Sequence, residues 1–150
     1  MPTEPSTDLK VVERLQVLDP NGIPSNLIIR RADPFQVAID FEVLAPSAKA
    51  VLCALAYEVK YFAESIGPGP EVELGTVTRN TVAGQSVYNA TTPAGSGTAL
   101  TVPGNTLPAG IVYKLAAVLT FKVRCPGAGS PVSPYPMNAF VIGGPAINIT

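Results

Sequence analysis

The side chains that most often do chemistry at neutral pH are sparse in this sequence. Histidine, the commonest general base and a common metal ligand, is absent from the 150 residues. Ser-His-Asp and Cys-His arrangements are therefore impossible within the chain. The two cysteines, Cys53 and Cys125, form no CxxC motif, which excludes the usual zinc and thioredoxin patterns. We therefore predict no catalytic residue, no metal site and no cofactor.

Paired carboxylates remain as candidates for acid–base chemistry. Asp40 and Glu42 lie two positions apart, so they share one face of an extended strand, and Glu71 and Glu73 repeat that spacing. Such a pair could serve as the acid and base of a glycosidase. The same pattern is typical of the solvated outer face of a sheet, which we favour. A hydrolase that uses carboxylates alone is the least favoured function, and we predict that the chain is not an enzyme.

Two loops come nearest to an ion-binding pattern. Calcium sites need clustered carboxylate and amide oxygens, and the nearest candidates are Asp19 and Asn21 in one loop with Asp33 in another. No motif repeats this ligand pattern, so we predict no metal there. Residues 67–70 (Gly-Pro-Gly-Pro) lack the lysine and the following helix of a phosphate loop, and they are interpreted as a stiff turn.

The elements that would position any site are predicted to be β-strands. Apolar and polar residues alternate over 35–43, 50–63 and 111–124, which is the period of a half-buried strand. The second of these segments places Tyr57 and Tyr61 on its core face. The abundant prolines (16) and glycines (13) break helices and mark turns, and no convincing helix is found. Weaker strand candidates are 11–18, 26–31, 71–79 with a bulge at Gly75, 85–91, 97–102, and 138–149 with a break at 143–145.

This spacing of strands predicts an all-β fold, a two-sheet antiparallel β-sandwich of seven to nine strands. Residues 1–9 are interpreted as a polar N-terminal arm, and residues 10–150 as a single domain. A loop rich in proline, glycine and serine is predicted at 125–137. The few residues after it cannot form a core, so we expect them to return to the same sandwich as a strand.

One segment of the sequence resembles part of a known family of folds. Residues 107–115 (LPAGIVYKL) resemble the E–F corner of immunoglobulin-like and fibronectin-type sandwiches, where a leucine and a glycine precede a tyrosine that bonds the backbone just upstream. Tyr113 is one residue further from Gly110 than in that pattern, and the core tryptophan of antibody domains is absent. The resemblance implies an immunoglobulin-like strand order and carries no functional residues.

The same resemblance gives a prediction of strand register. It places Cys53 near the start of strand C and Cys125 near the end of strand F, which are antiparallel neighbours in such sandwiches. If the two cysteines faced each other, Glu64 would lie opposite Lys114, a favourable pairing of opposite charges. We predict this register to within two residues. The cysteines are then either two reduced thiols that pack as small apolar groups, which we favour, or a disulfide.

Charge and hydropathy narrow the choice of partners. The net charge is −1 and charged residues make up 14% of the chain, so there is no basic field to attract nucleic acid. No run of apolar residues is long enough for a membrane span. The polar N-terminal segment lacks the apolar core of a signal peptide. We therefore expect a protein of the cytoplasm, or one assembled there into a particle such as a virion.

After these exclusions, we predict that the chain functions through a contact surface. Tyr135, Pro136 and Met137 lie in the predicted loop at a sandwich end, and tyrosine and methionine are favoured at interfaces. With Asp8 and Lys10 of the N-terminal arm region, they form the predicted protein interface. We predict a non-catalytic structural or assembly protein that forms homo-oligomers or decorates a larger particle through its arm, strand edges or end loops. The alternative is a monomeric binding module for a carbohydrate or a peptide, but Tyr57 and Tyr61 would line its groove only if they left the core face.

Overall fold

The described residues fold entirely as β-structure. A computed structural model describes residues 9–43, 55–82, 85–92, 97–124 and 132–150; at 9–13, 43, 55, 123–124 and 132–138 it describes the backbone only. This part of the chain contains no helix. Its strands are β1 (Leu9–Leu18), β2 (Ile28–Ile29), β3 (Phe35–Val43), β4 (Leu55–Ser65), β5 (Val72–Asn80), β6 (Val87–Tyr88), β7 (Leu100–Val102), β8 (Val112–Arg124) and β9 (Val132–Ile149).

The strands form two sheets, as a β-sandwich requires. Sheet A contains β1, β3, β6 and β7, and both short strands pair with the same edge of β3. Sheet B has the order β2-β9-β8-β4-β5. All pairs are antiparallel except β2 with β9, which are parallel. The predicted all-β fold with two sheets is therefore confirmed.

Alternating side chains build the core between the sheets. The apolar positions of β3 from Phe35 to Phe41 are at most 4% exposed, as the period-two pattern predicts. Phe41 stacks on Tyr88 with ring centroids 4.6 Å apart, and its edges meet Tyr57 at 5.1 Å and Phe121 at 5.5 Å. Because these residues lie near the end of β3, the start of β4 and the end of β8, the three strand ends meet at one end of the sandwich.

The register of β4 and β8, two neighbouring internal strands of sheet B, agrees with the prediction from sequence. β4 and β8 pair continuously from Leu55 opposite Val123 to Ser65 opposite Tyr113, with no register shift. Glu64 lies opposite Lys114, so the predicted register is confirmed. Cys53 and Cys125 lie outside the described residues, and their pairing stays a prediction.

A threonine side chain fills the gap between β6 and β7 along β3. The backbone N–H of Ile39 donates to Oγ1 of Thr98 at 3.1 Å, and the Thr98 hydroxyl donates to the Ile39 carbonyl at 2.6 Å. Both groups would otherwise lack a partner in the sheet, and Thr98 is completely buried. Tyr61 donates its hydroxyl to the Thr98 carbonyl at 2.6 Å, and Tyr57 donates to the Gly97 carbonyl at 3.1 Å. The predicted strand over 97–102 therefore shrinks to β7.

The predicted loop at 125–137 was partly wrong, because β9 already begins at Val132. Tyr135, Pro136 and Met137 therefore belong to a strand. The register between β8 and β9 shifts after Phe121 and again after Lys122, so this end of the strand is bulged. Proline lacks an N–H, and it is tolerated at such bulges because the ladder is already interrupted.

The predicted break at 143–145 was also wrong, because β9 passes through it as a bulge. The register shifts by one residue between the partners of Lys114 and Ala116. Gly144 faces Leu15 so closely that a Cβ there would lie 2.9 Å from Cδ2 of that leucine. Gly144 thus allows β1 to approach β9 while the strand continues.

Two further strand predictions can be compared with the structure. The bulge expected at Gly75 is confirmed, since the register of β4 and β5 shifts there and Gly75 has a φ of 152°. The strand expected over 26–31 is reduced to the two residues of β2.

Candidate binding cleft at the β2 edge

The predicted interface residues lie at the aromatic end of the sandwich. Lys10 is in β1 opposite Glu42, next to Phe41, while Asn138 of β9 lies opposite Phe121. The segment 135–137 continues β9 from that point, so it lies at the same end as Lys10. The structure describes only the backbone of these residues, and Asp8 lies outside it. Their role as an interface stays a prediction.

In each carboxylate pair, one member contacts a basic or polar side chain on a sheet surface. Asp40 forms an ion pair with Arg14 at 3.8 Å and accepts a hydrogen bond from Gln16 at 3.3 Å. Glu73, on edge strand β5, accepts a weak hydrogen bond from Thr76 at 3.4 Å. Within the described ranges, no cluster of three or more metal-type side chains occurs. These contacts fit a solvated outer face.

Tyr57 and Tyr61 belong to the core and line no groove. They are at most 1% exposed, and both donate their hydroxyls to backbone carbonyls. Burial raises the pKa of Tyr57 and of Tyr61 well above the ordinary value, because the phenolate would be poorly solvated there. Burial also raises the pKa of Tyr88. The Tyr88 hydroxyl accepts a hydrogen bond from the N–H of Val82 at 2.9 Å, so all three residues, here called the core tyrosines, make structural hydrogen bonds.

A cleft opens at the opposite end of the molecule, between the end of β1, β2 and the start of β3. Its volume is about 330 Å³, which is near the lower limit for ligand pockets. Its floor is apolar and contains the buried Ile29 and Phe35, while charged and polar side chains form the rim. The lining residues are Asp19, Pro20, Ser25, Ile28, Ile29, Arg30, Asp33, Pro34 and Phe35.

The turn after β1 holds one wall of this cleft. Oδ1 of Asp19 accepts hydrogen bonds from the N–H groups of Asn21 and Ile23, each at 2.9 Å. Gly22 has a φ of 80°, which a glycine adopts at little cost, and its N–H donates to the Asp19 carbonyl at 2.9 Å. The same bonds occupy Oδ1 of Asp19, so this carboxylate acts as a turn residue. It shares the cleft with Asp33, the other carboxylate singled out by sequence.

The backbone of β2 leaves one edge free. The hydrogen bonds to β9 use alternate residues: the Leu27 carbonyl accepts from Asn148, and the Ile29 carbonyl accepts from Thr150, each at 2.9 Å. Along a strand, successive backbone groups point to opposite sides. The N–H and C=O of Ile28 therefore point away from β9, towards the cleft that Ile28 lines.

Exposed aliphatic side chains surround this edge. Ile28 is 61% exposed, and its neighbours in the same segment, Ile23 and Leu27, are 59% and 43% exposed. Ile28 pairs with Asn148, which pairs with Val112, and the N–H of Ile66 donates to the Val112 carbonyl. Along this end of sheet B, the exposed Asn148 therefore lies between Ile28 and Val112, and Ile66 lies next to Val112. We call the following set the β2-edge surface: Ile23, Leu27, Ile28, Ile66 and Val112.

Sequence reasoning missed this surface, although one signal was present. Ile28 and Ile29 are adjacent, so in a two-sided strand one of them must face outward. Ile29 is 6% exposed and takes the core position, which leaves Ile28 in solvent. The contributions of Val112 and Ile66 depend on pairing between distant segments, which has no local pattern.

The rim of the cleft carries more negative than positive charge. It contains the carboxylates of Asp19 and Asp33 and the guanidinium of Arg30. Within the described part of the chain, none of these three groups forms an ion pair. The rim therefore has one unbalanced negative charge and can attract a cationic group.

Comparisons with protein-family models and with curated proteins find no match to this chain. The described residues contain no helix that is long and apolar enough to cross a bilayer.

Proposed function

We propose that this chain is a non-catalytic, immunoglobulin-like assembly module that joins other protein subunits through the strand edge at β2. The strand order supports the immunoglobulin-like part of this proposal. β3 pairs with β1 and with two short strands in one sheet, while β9, β8 and β4 are neighbours in the other. β3, β1 and the short strands thus occupy positions that resemble strands B, A and E of that superfamily. β9, β8 and β4 occupy positions that resemble its strands G, F and C.

The observation that carries the assembly role is the β2-edge surface. Three of its isoleucines are each about 60% exposed, although burying such a side chain is worth about 2 kcal/mol. Soluble proteins seldom expose grouped aliphatic side chains beside a free strand edge unless a partner covers them. Apolar contact and strand pairing at one place would favour association with a protein.

The surroundings of the carboxylates support a role without catalysis. Glu58, on the outer face of sheet B, forms ion pairs with Lys122 at 3.4 Å and Lys60 at 3.9 Å. A catalytic carboxylate pair needs two groups that converge on one substrate position. In the described structure, Asp40 and Glu58 instead pair with bases on sheet surfaces, and of the two carboxylates at the cleft, Asp19 is engaged through Oδ1 by its own turn.

The test is the oligomeric state, measured by size-exclusion chromatography with light scattering over a range of concentrations. We expect wild-type protein to associate and Ile28→Lys to remain monomeric, because a lysine at this edge opposes apolar contact. Val87→Lys is the matched control, since Val87 is 43% exposed but lies in sheet A, and it should associate like wild type. A wild-type protein that stays monomeric at high concentration would refute self-association.

A second candidate function is binding of a peptide by a monomer. The cleft itself favours it, since an apolar floor with a polar rim is the usual design of a ligand site. Isothermal titration with peptides, at concentrations where light scattering finds only monomer, would detect this function.

A further inference from the structure

We propose that the cleft binds an extended peptide segment, which pairs as an added strand with the free edge of β2 and places a basic side chain near Asp19 and Asp33. This inference rests on the proposed function, because it names the kind of partner segment that the β2 edge takes. Addition of a strand to a sheet edge is a general mode of peptide recognition, in which backbone hydrogen bonds give affinity and side-chain pockets give specificity.

The backbone groups for such pairing are in place. The N–H and C=O of Ile28 point away from β9, and the N–H of Arg30, on the same side, makes no hydrogen bond among the described residues. The carbonyl of Arg30 accepts from Asp33 at 3.0 Å and is not available. An incoming strand thus finds two donors and one acceptor.

The dimensions of the cleft limit the length of the peptide. Upstream of the free edge, the N–H of Ser25 donates to the Val17 carbonyl of β1 at 3.0 Å, so β1 closes that side. Downstream, the N–H of Arg31 donates to Thr150 at 2.9 Å as the chain turns towards β3. A volume of about 330 Å³ holds a few residues, which matches an edge with free groups at Ile28 and Arg30.

Charge selects the side chain of the peptide. Oδ1 of Asp19 already accepts two backbone N–H groups, but its second oxygen and the carboxylate of Asp33 accept no hydrogen bond from the described residues. Arg30 supplies the single positive charge at the rim. A lysine or arginine of the peptide would balance the remaining negative charge, whereas a glutamate would add to it.

The first arm of the experiment tests strand pairing. The probe is a short synthetic peptide of alternating valine and threonine with a central lysine, and binding is measured by isothermal titration. Ile28→Pro removes the N–H that points to the cleft and keeps the β9-facing bonds, because proline is tolerated on the open side of an edge strand. We expect binding about tenfold weaker or worse for this variant, and no more than about threefold weaker for the control Ile28→Val.

A change in the peptide covers the case in which Ile28→Pro fails to fold. N-methylation of the backbone nitrogens that would face β2 blocks pairing without altering the protein, and it should also weaken binding about tenfold. Undiminished binding of the methylated peptide, or of a folded Ile28→Pro protein, would overturn the proposal. Failure of wild-type protein to bind the lysine peptide would overturn it as well.

The second arm tests charge selection. The lysine peptide should bind more tightly than the same peptide with glutamate, and the preference should disappear or reverse with Asp33→Lys. Glu64→Lys makes the same charge change on the outer face of sheet B and should keep the preference. Equal affinity for both peptides in wild-type protein would refute the assignment of a basic ligand.

The experiments distinguish a failure of the assembly proposal from a failure of the peptide-binding proposal. If the protein is monomeric in light scattering but binds the lysine peptide, self-association fails and peptide recognition stands. If the protein associates through Ile28 but the peptide neither binds nor competes with association, the surface is an assembly contact and strand addition is refuted.

Discussion

Removing one buried hydroxyl should cost this fold a large part of its stability. Thr98→Val keeps the shape of the side chain but leaves the N–H and C=O of Ile39 without their partner, in a fully buried place. An unsatisfied buried backbone group costs about 1–3 kcal/mol, so two such groups with partial relaxation should cost about 3 kcal/mol. Small domains are stable by only about 5–15 kcal/mol, so this loss is readily measured.

The assay is equilibrium unfolding in urea, followed by circular dichroism. With a slope of about 2 kcal/mol per molar urea, the midpoint of Thr98→Val should fall by about 1.5 M. Thr98→Ser keeps the hydroxyl and loses one methyl group, which should cost about 1 kcal/mol. Thr101→Val, on the exposed face of β7, should change stability by less than about 0.5 kcal/mol. A Thr98→Val protein no less stable than Thr98→Ser would refute the reasoning.

Three further outcomes follow from the same structure. In urea unfolding, Tyr61→Phe should lower the free energy of unfolding by about 1–2 kcal/mol, because the Thr98 carbonyl loses its donor. The control Tyr113→Phe should lower it by less than about 0.5 kcal/mol, since no hydrogen bond of the described residues uses that hydroxyl. Equal losses would contradict the prediction. The stability contributed by the core tyrosines should be constant up to pH about 10 and be lost above it, because these tyrosines keep their protons in the folded state while unfolded tyrosines ionise. Tyrosinate absorbance from more than two of the five tyrosines should therefore rise only together with unfolding, and such a rise in a folded protein would contradict the prediction. If the β4–β8 register continued for two more residues, Cys53 would lie opposite Cys125, and mild oxidation should then form an intramolecular disulfide. Mass spectrometry that finds only free thiols or linked dimers would contradict this prediction.

Regular alternation was the part of this fold that could be predicted. The pattern over 35–43 identified β3 and its core face, because period two is a local property of sequence. The register of β4 with β8 was predicted by assuming that these strands are neighbours and that Cys53 faces Cys125, and the charge pair of Glu64 with Lys114 agreed with it. The beginning of β9 was missed because its prolines suggest a loop, while the bulged ladder tolerates them.

The features that matter most for the site depend on distant residues. Thr98 contacts Ile39 across 59 positions, and no local pattern marks a threonine whose side chain completes a sheet. The cleft likewise needs β2 to leave sheet A and pair in parallel with β9. The two carboxylates noted in sequence, Asp19 and Asp33, do share a site, but one is occupied with its own turn.

The Thr98 side chain that fills the gap between β6 and β7 also limits where strands of other molecules can be added to this protein. A sheet can extend by adding strands wherever its edge is straight and free, which is how unwanted fibres begin. Along the far edge of β3, the short strands β6 and β7 and the Thr98 side chain interrupt any regular ladder. The edge of β5 is kinked by its own bulge at Gly75. β1 is the remaining edge of sheet A, so a finite complex requires a twofold contact: two copies that pair β2 with β2 use the same edge in both, and that contact closes on itself rather than forming a filament.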